Sequence, residues 1–247
     1  MSGMHAGDTS PGTRSRSSAP DPGVVDPAAR RAWLDARRRS HEERMTAIHA
    51  PTYDEHWGEI MPSHAAFVEA LLARTRDAGT VLDAACGTGK YWPLVLASGR
   101  TVVGVDQSPG MLAVAAAKHP EVPVGRVGLQ ELAFDAAFDA VMCVDALENV
   151  GPEDWPVVVA GLARAARPGA PIYLTVEQAD EAALAASFEA ARCAGHPVLP
   201  REDFDGVGYH HFPVAGQVRA WLAEAGLEIL DERLGDEYLH LLLRRPG

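Results

Sequence analysis

The sequence predicts a doubly wound α/β fold: a seven-stranded, mostly parallel sheet with an antiparallel edge strand, preceded by N-terminal helices. The main observation is that short β-prone runs, apolar almost throughout, alternate with helix-like segments. Strands covered on both faces need continuous apolar character, whereas sandwich strands alternate apolar and polar residues. The runs are residues 81–83, 101–105, 122–124, 140–144, 171–176, 227–230 and 238–243.

The composition limits the classes of partner. The chain has 247 residues, 47% of them hydrophobic, and a net charge of -12. This length suits one sizeable α/β core. The acidic balance argues against nucleic acid as a partner, because phosphate backbones are bound through Lys and Arg. The basic residues between 30 and 39 alternate with acidic and apolar ones, which is typical of a helix face.

Location and assembly follow only from weaker signals. Three cysteines without a CxxC pair predict neither a disulfide framework nor a zinc site, so a reducing cytoplasm is expected. No run approaches the roughly 18–20 apolar residues that cross a bilayer, and no signal peptide is visible, so no membrane partner is expected. A monomer and a homodimer are equally compatible with the sequence.

The chain divides into three parts. Residues 1–26 are rich in Ser, Gly and Pro and predict a disordered tail. Residues 27–78 predict two helices, one from Pro27 to about residue 48, ended by Pro51, and one over residues 63–76. Residues 79–247 form the predicted core, with a loop-like insertion at about 195–213 that has no role in the sheet. Gly235 and Asp236 predict a turn between the last two strands.

A glycine-rich turn follows the first strand of the core. Gly87 and Gly89 allow positive φ and a close approach of ligand to backbone, and the next helix offers its N-terminal amides. The second strand ends in Asp106, where an acidic side chain can accept the ribose hydroxyls of an adenosine. A dinucleotide site would have a third glycine, but Trp92 stands at that position, so no pyrophosphate site is evident.

Residues 83–89, Asp-Ala-Ala-Cys-Gly-Thr-Gly, resemble the DxxCGxG signature of class I S-adenosylmethionine-dependent methyltransferases. The resemblance continues through residues 103–112, 138–150 and 166–170 and covers about residues 79–177. It implies a Rossmann-like core and S-adenosyl-L-methionine as the cofactor. The cofactor residues that it implies are Asp83, Cys86, Gly87 and Gly89 in the binding loop, Asp106 for the ribose, and Gln107, Met111 and Gln130 around the adenine.

Three segments can supply the acceptor side of the site. Tyr53, His56 and Trp57 fall in a predicted loop that looks like the lid that many small-molecule methyltransferases close over the cofactor. We therefore expect Tyr53 to contact the cofactor, although Tyr53 and Trp57 would serve equally well to pack the helix onto the sheet. Asp145 and Glu148 follow the fourth strand, where α/β sheets place ligand contacts. We expect Asp145 to contact the cofactor and Glu148 to act as a catalytic carboxylate, with a helix-cap or surface role as the alternative.

The third segment contains Tyr209 and His210 in the insertion. Histidine is the commonest general base, so His56, Tyr209 and His210 join Glu148 as catalytic candidates. A purely structural role is the alternative for Tyr209 and the histidines. Two adjacent histidines do not have the spacing of a helical metal pair, and no metal is expected.

These features predict methyl transfer to a small organic molecule. A faint resemblance to natural-product tailoring enzymes, including indole C3-methyltransferases, suggests an aromatic or indole-type acceptor methylated at carbon, nitrogen or oxygen. The alternatives are a protein or RNA methyltransferase, a non-catalytic cofactor-binding partner subunit, and an NAD-dependent oxidoreductase, against which Trp92 argues.

Overall fold

One seven-stranded sheet forms the centre of the molecule, in a computed structural model that describes residues 25–247. Its strand order is β3-β2-β1-β4-β5-β9-β8, and β1 to β5 run parallel. The β8–β9 hairpin completes the sheet: β9 pairs antiparallel with β5, and β8 forms the outer edge. The predicted fold class is therefore confirmed. The strands are β1 Thr80–Ala84, β2 Thr101–Asp106, β3 Val124–Arg126, β4 Ala140–Cys143, β5 Pro171–Glu177, β8 Glu228–Gly235 and β9 Tyr238–Arg244.

Helices cover both faces of this sheet because its central strands are apolar on both sides. In β4, Ala140 and Met142 pack with one layer of helices, while Val141 and Cys143 pack with the other. The first layer contains α3 Pro62–Leu72, α4 Trp92–Ala97 and α5 Pro109–Lys118, and the second contains α6 Trp155–Ala165 and α8 Ala215–Glu224. None of the helices in the described residues is long and apolar enough to cross a membrane.

The N-terminal helical region differs from its prediction. Helix α1, Pro27–Arg44, is capped by the Asp26 carboxylate, as its sequence suggests, but the chain continues helically through a π turn and a 3-10 turn into α2, Tyr53–Trp57. Pro51 lies in the first turn of the 3-10 segment, where a missing N–H costs nothing. The expectations that Pro51 ends the helical path and that residues 53–58 form a loop are therefore wrong. The predicted tail falls almost wholly outside the described residues.

The insertion is also more regular than predicted. After helix α7, Glu181–Cys193, it forms a two-stranded hairpin of β6, Glu202–Phe204, and β7, Tyr209–His211. The Asp205 carboxylate accepts hydrogen bonds from the backbone N–H groups of Val207 (2.8 Å) and Gly208 (2.7 Å) and so closes the turn. The expectation of a loop without a sheet role is wrong, because this side-chain capping lets three-residue strands pair.

A buried ionic network fastens α1 to this hairpin. The Arg30 guanidinium donates to Glu202 (Nη1 to Oε2, 2.8 Å) and to Glu153 (Nε to Oε1, 2.9 Å). The Tyr209 hydroxyl donates to Glu202 Oε1 at 2.6 Å. Arg30 is 3% exposed and Glu202 0%, so each charge depends on its partner. Leu34, Phe204 and Tyr209 pack in a small apolar cluster beside the network.

We expect Glu202→Gln to lower the free energy of unfolding by about 3–5 kcal/mol, because it leaves the buried Arg30 charge without its nearest counter-charge. Denaturant unfolding followed by circular dichroism measures this loss. Glu181→Gln is the control: it removes an exposed pair with Arg201 at 2.8 Å and should leave the unfolding midpoint almost unchanged. Equal midpoint shifts in the two variants would contradict a network that fastens α1.

Candidate active site

A cavity of about 800 Å³ lies at the carboxyl ends of the parallel strands. Its floor comes from the segments that follow β1, β2 and β4, and its other walls come from α1, α2 and β7. Ligands of open α/β sheets bind at this edge. The predicted site residues that line this cavity are Tyr53, His56, Gly87, Asp106, Gln107, Met111, Gln130, Asp145, Glu148, Tyr209 and His210.

The glycine-rich turn and the end of β2 are joined by one carboxylate. Asp106 Oδ2 accepts a hydrogen bond from the Gly87 N–H at 2.9 Å, and Oδ1 accepts from the Ser108 N–H at 2.8 Å. Burial raises the pKa of Asp106, and these backbone donors act in the opposite direction. Gly87 has φ +52, and a Cβ placed on it would meet no atom within 4 Å. The turn therefore leaves an open cradle beside a carboxylate, which fits a nucleoside cofactor.

Three of the predicted cofactor residues lie elsewhere. Asp83 and Cys86 reach only a recess of about 30 Å³ that shares Tyr53, Gly87 and Asp145 with the main cavity. Asp83 accepts a hydrogen bond from Trp92 Nε1 at 2.9 Å, and burial raises its pKa to about 7.

Gly89 is not among the residues that line either space, and its expected contact with the cofactor stays a prediction. A Cβ on Gly89 would lie 2.6 Å from the Trp92 ring, so the absence of a side chain makes room for Trp92.

Alanine substitutions at Gly87 and Gly89 should affect different properties, cofactor binding and stability. Gly87→Ala should fold with a loss of about 1 kcal/mol, the cost of positive φ in an alanine, but its methyl group enters the cradle and should weaken cofactor binding at least tenfold. Gly89→Ala forces Trp92 out of its packing and should lower the melting temperature far more. Thermal unfolding and calorimetric titration measure both. A Gly87→Ala protein that binds the cofactor normally would show that the cradle is not used.

The nucleotide end of the cavity contains Gln107, Met111 and Gln130. Gln107 Oε1 accepts from Arg38 Nε at 3.2 Å, Met111 is buried, and Gln130 Nε2 donates to Asp154 at 3.4 Å. Sequence reasoning missed Arg38, because the basic residues of α1 suggested a solvated face. Arg38 and Gln107 are 69 residues apart in the chain, and no sequence pattern shows that their side chains are in contact.

Two acids face the other end of the cavity after β4. Glu148 is 7% exposed; its Oε1 accepts from Asn149 Nδ2 at 2.7 Å, and its Oε2 is buried without a hydrogen-bond partner in the described part of the chain. Burial raises the pKa of Glu148 well above its usual range, and the nearby charge of Asp145 adds to this. Asp145 has φ +57 and accepts from the Tyr238 hydroxyl. Tyr238, which sequence reasoning missed, also lines the cavity.

The remaining catalytic candidates differ in whether their polar atoms already have hydrogen-bond partners. His56 Nδ1 lies 2.8 Å from the Thr52 carbonyl oxygen, and the rings of Tyr53 and Trp57 pack at an angle of 42° with centroids 5.2 Å apart. The Tyr209 hydroxyl is already bonded to Glu202, which favours a structural role for it. Burial lowers the pKa of His210, so this ring is neutral near pH 7.

Helix α2 is held against the glycine-rich turn by Asp54. Its carboxylate accepts from the Thr88 hydroxyl at 2.5 Å and from Lys118 Nζ at 2.6 Å. Because Thr88 lies between the two glycines, this contact couples the N-terminal helices to the cofactor cradle. Asp54 was not among the predicted site residues, although it lies beside Tyr53.

A doubly wound sheet, a glycine cradle after β1 and an acid at the end of β2 define an enzyme core for an adenosine-containing cofactor. Residues 81–169 match a family described as a methyltransferase domain. The ubiquinone biosynthesis O-methyltransferase of Xanthomonas axonopodis pv. citri (strain 306) is 31% identical over 174 residues, which cover 66% of this chain and 69% of that protein.

Solved structures show the same fold. A SAM-dependent methyltransferase of Methanosarcina mazei superposes with a TM-score of 0.64 at 15% identity, over 76% of this chain and 99% of that one. The 1,6-didemethyltoxoflavin-N1-methyltransferase of Burkholderia thailandensis superposes with a TM-score of 0.61 at 18% identity, over 92% and 93%. The chain belongs to the S-adenosylmethionine-dependent methyltransferases, and its cofactor is S-adenosyl-L-methionine.

Proposed function

We propose that this methyltransferase acts on a small aromatic molecule, of the kind made in natural-product biosynthesis. The observation that carries the proposal is the cavity itself: its volume of about 800 Å³ falls within the range of small-molecule sites. Its lining includes the aromatic side chains of Tyr53, Trp57, Tyr209 and Tyr238. The net charge of -12 agrees with an acceptor other than nucleic acid.

The cofactor end of this cavity is formed by Gly87 and Asp106, with Gln107, Met111 and Gln130 toward the adenine. When bound, S-adenosylmethionine would supply a methyl group on a positively charged sulfur. The acceptor atom would attack the methyl carbon in line with the carbon–sulfur bond, and the sulfur would leave as a neutral thioether. The protein therefore has to orient the acceptor and remove its proton. Asp145, whose carboxylate accepts from the Tyr238 hydroxyl, lines the cavity beside Glu148.

Glu148 is the residue that we assign to proton removal. Glu148 lines the cavity, and the bond to Asn149 engages one of its carboxylate oxygens. The other oxygen is buried and has no hydrogen-bond partner among residues 25–247, so it is free to take a proton. As the acceptor's oxygen or nitrogen takes the methyl group, its proton passes to this oxygen. A carboxyl whose pKa is raised toward the working pH is an effective general base. His56 and His210 are the alternatives for the same step.

The relatives support oxygen as the acceptor atom, because several of them are named ubiquinone biosynthesis O-methyltransferases. Nitrogen is chemically equivalent for Glu148. Methylation of a ring carbon, suggested by the faint resemblance to indole C3-methyltransferases, stays the third alternative. Cytoplasmic location, expected from the cysteines, and a monomeric or homodimeric state stay predictions.

Residues 27–78 act in this proposal as a lid, and residues 195–213 as the substrate-recognition insertion. Two contacts support the lid: Asp54 with Thr88, and the Thr46 hydroxyl with the Ser108 hydroxyl at 2.9 Å. Both join the N-terminal region to residues beside the cofactor cradle. Opening the lid would therefore free the cradle as well as the acceptor end.

The test is to follow a labelled methyl group. Purified protein is incubated with methyl-labelled S-adenosylmethionine, a panel of phenols, catechols and indoles, and, separately, total protein and RNA. We expect label in small-molecule product and one S-adenosylhomocysteine per methyl group transferred. Label in protein or RNA would overturn the proposal, and cofactor binding without transfer to any acceptor would favour a partner subunit.

A further inference from the structure

One face of α1 presents basic side chains to the cavity. Arg37, His41 and Arg44 are spaced i, i+4 and i+7, so they lie on the same side of the helix, and all three line the cavity. The β6–β7 hairpin faces them. The Arg37 guanidinium carbon lies 5.1 Å from the centroid of the Phe204 ring, and Arg44 Nη2 lies 4.0 Å from the Cβ position of Gly208.

Arg37 and Arg44 differ from three other arginines of the helix. Arg30, Arg31 and Arg38 each make a salt bridge, to Glu202, Asp154 and Glu131 respectively. Within residues 25–247, Arg37 and Arg44 make none. Their Nε atoms are buried without a hydrogen-bond partner. The Nη groups of both arginines have no hydrogen-bond partner among the described residues either, and a guanidinium without a counter-charge beside a cavity is stabilised by an anionic ligand.

The groups around them do not supply that anion. The positive charge of Arg44 helps to lower the pKa of Asp205, but Asp205 makes no salt bridge with it, and its Oδ1 accepts the two backbone bonds of the hairpin turn. Burial lowers the pKa of His41 to about 4, with the charge of Arg44 as a second cause. His41 and His210 are therefore neutral hydrogen-bonding groups beside two cations.

This face is separate from the nucleotide end. Arg38 contacts Gln107, and Thr46 contacts Ser108, from the other side of the same helical region. An anion at Arg37 and Arg44 would consequently belong to the acceptor. The cavity also contains the acids Asp145, Glu148 and Glu177, which would repel a highly charged group, so a singly charged carboxylate suits it best.

We propose that Arg37 and Arg44, with His41 and His210 beside them, form a subsite for a carboxylate of the acceptor, so that the substrate is an aromatic acid. This inference rests on the proposed function, since it names the class of small molecule that the same cavity takes. The Arg37 guanidinium packs against both the Phe204 ring, at 5.1 Å, and the Trp33 ring, at 5.9 Å, so its fork is positioned before the ligand arrives.

The test compares acids with their uncharged amides. The protein is saturated with S-adenosylhomocysteine and titrated calorimetrically with 3,4-dihydroxybenzoate or its amide, and with indole-3-acetate or its amide. At least one acid should bind about tenfold or more tightly than its amide, the effect of a charge-assisted contact. Arg37→Gln and Arg44→Gln should remove this preference. Arg39→Gln is the matched control, because Arg39 is exposed on the same helix and does not line the cavity.

Equal affinity for acid and amide in both pairs, or no binding of either, would overturn the subsite. A weakened affinity of Arg44→Gln for S-adenosylhomocysteine would also overturn it, by assigning the arginine to the cofactor; an unchanged affinity shows that the variant is folded. Different results would contradict the carboxylate subsite and the proposed function. Methylation of neutral aromatic molecules without a preference for acids removes only the subsite, whereas label found in protein or RNA removes the proposed function.

Discussion

Glu148→Gln should lower kcat by about 10²- to 10⁴-fold, the usual contribution of a positioned general base. The substitution keeps the shape of the side chain and its contact with Asn149 but removes the ability to accept a proton. Because Glu148 is not part of the cofactor cradle, the affinity for S-adenosylmethionine should stay within about twofold. Steady-state kinetics with an acceptor from the labelling panel, and calorimetry without acceptor, separate the two effects.

The pH dependence of kcat gives a sharper readout. Burial and the charge of Asp145 raise the pKa of Glu148 well above its ordinary value of 4.5. Only the deprotonated carboxylate can accept the proton, so kcat should fall as the pH is lowered through this raised pKa, at higher pH than for an ordinary glutamate. Glu148→Gln should lose this acidic limb. Glu189→Gln, at an exposed pair with Arg192, should keep both rate and profile. A variant at position 148 with the full rate would exclude Glu148 as the base.

Asp106→Ala should weaken S-adenosylmethionine binding by about 100-fold. The substitution removes a charged acceptor for the ribose hydroxyls, and such bonds contribute about 1.5–3 kcal/mol each before partial compensation by water. It also removes the bonds to the Gly87 and Ser108 N–H groups and so loosens the cradle. Calorimetric titration measures the change in Kd directly.

Asp139→Asn is the matched control for this substitution. Asp139 is another buried acid, and it lies before β4, at the opposite end of the sheet from the cavity. Its carboxylate accepts from the Thr80 N–H at 2.8 Å and from Arg76 Nε at 2.7 Å. We expect the control to lower stability without changing the Kd for the cofactor. A Kd that is unchanged in Asp106→Ala would contradict the assignment of the ribose site.

The fold and the identity of the cofactor were predictable because their signals are local. The apolar strands, the glycines at 87 and 89 and the acid at 106 lie within one strand–turn–helix–strand unit, where each residue type has a backbone or hydrogen-bonding reason for its place. Even there, the contact of Gly89 with Trp92 was not foreseen, because the position of the bulky Trp92 ring cannot be derived from sequence spacing.

The acceptor end was harder to predict because it is assembled from distant segments. Tyr238 reaches Asp145 across 93 residues, and Arg30 reaches Glu202 across 172. Neither pair leaves a periodic pattern in the sequence. The basic face of α1 has the composition of a solvated helix, and only the packing of the hairpin against it shows that Arg37 and Arg44 line a cavity.

The most direct test of a shared cavity for cofactor and acceptor is a crystal structure with S-adenosylhomocysteine and an acceptor from the labelling panel. We predict the ribose hydroxyls at the Asp106 carboxylate and the acceptor's nucleophilic atom within hydrogen-bonding distance of the Glu148 carboxylate, beneath α1 and α2. An acceptor bound outside this cavity, or a cofactor whose ribose lies away from Asp106, would contradict the proposed site.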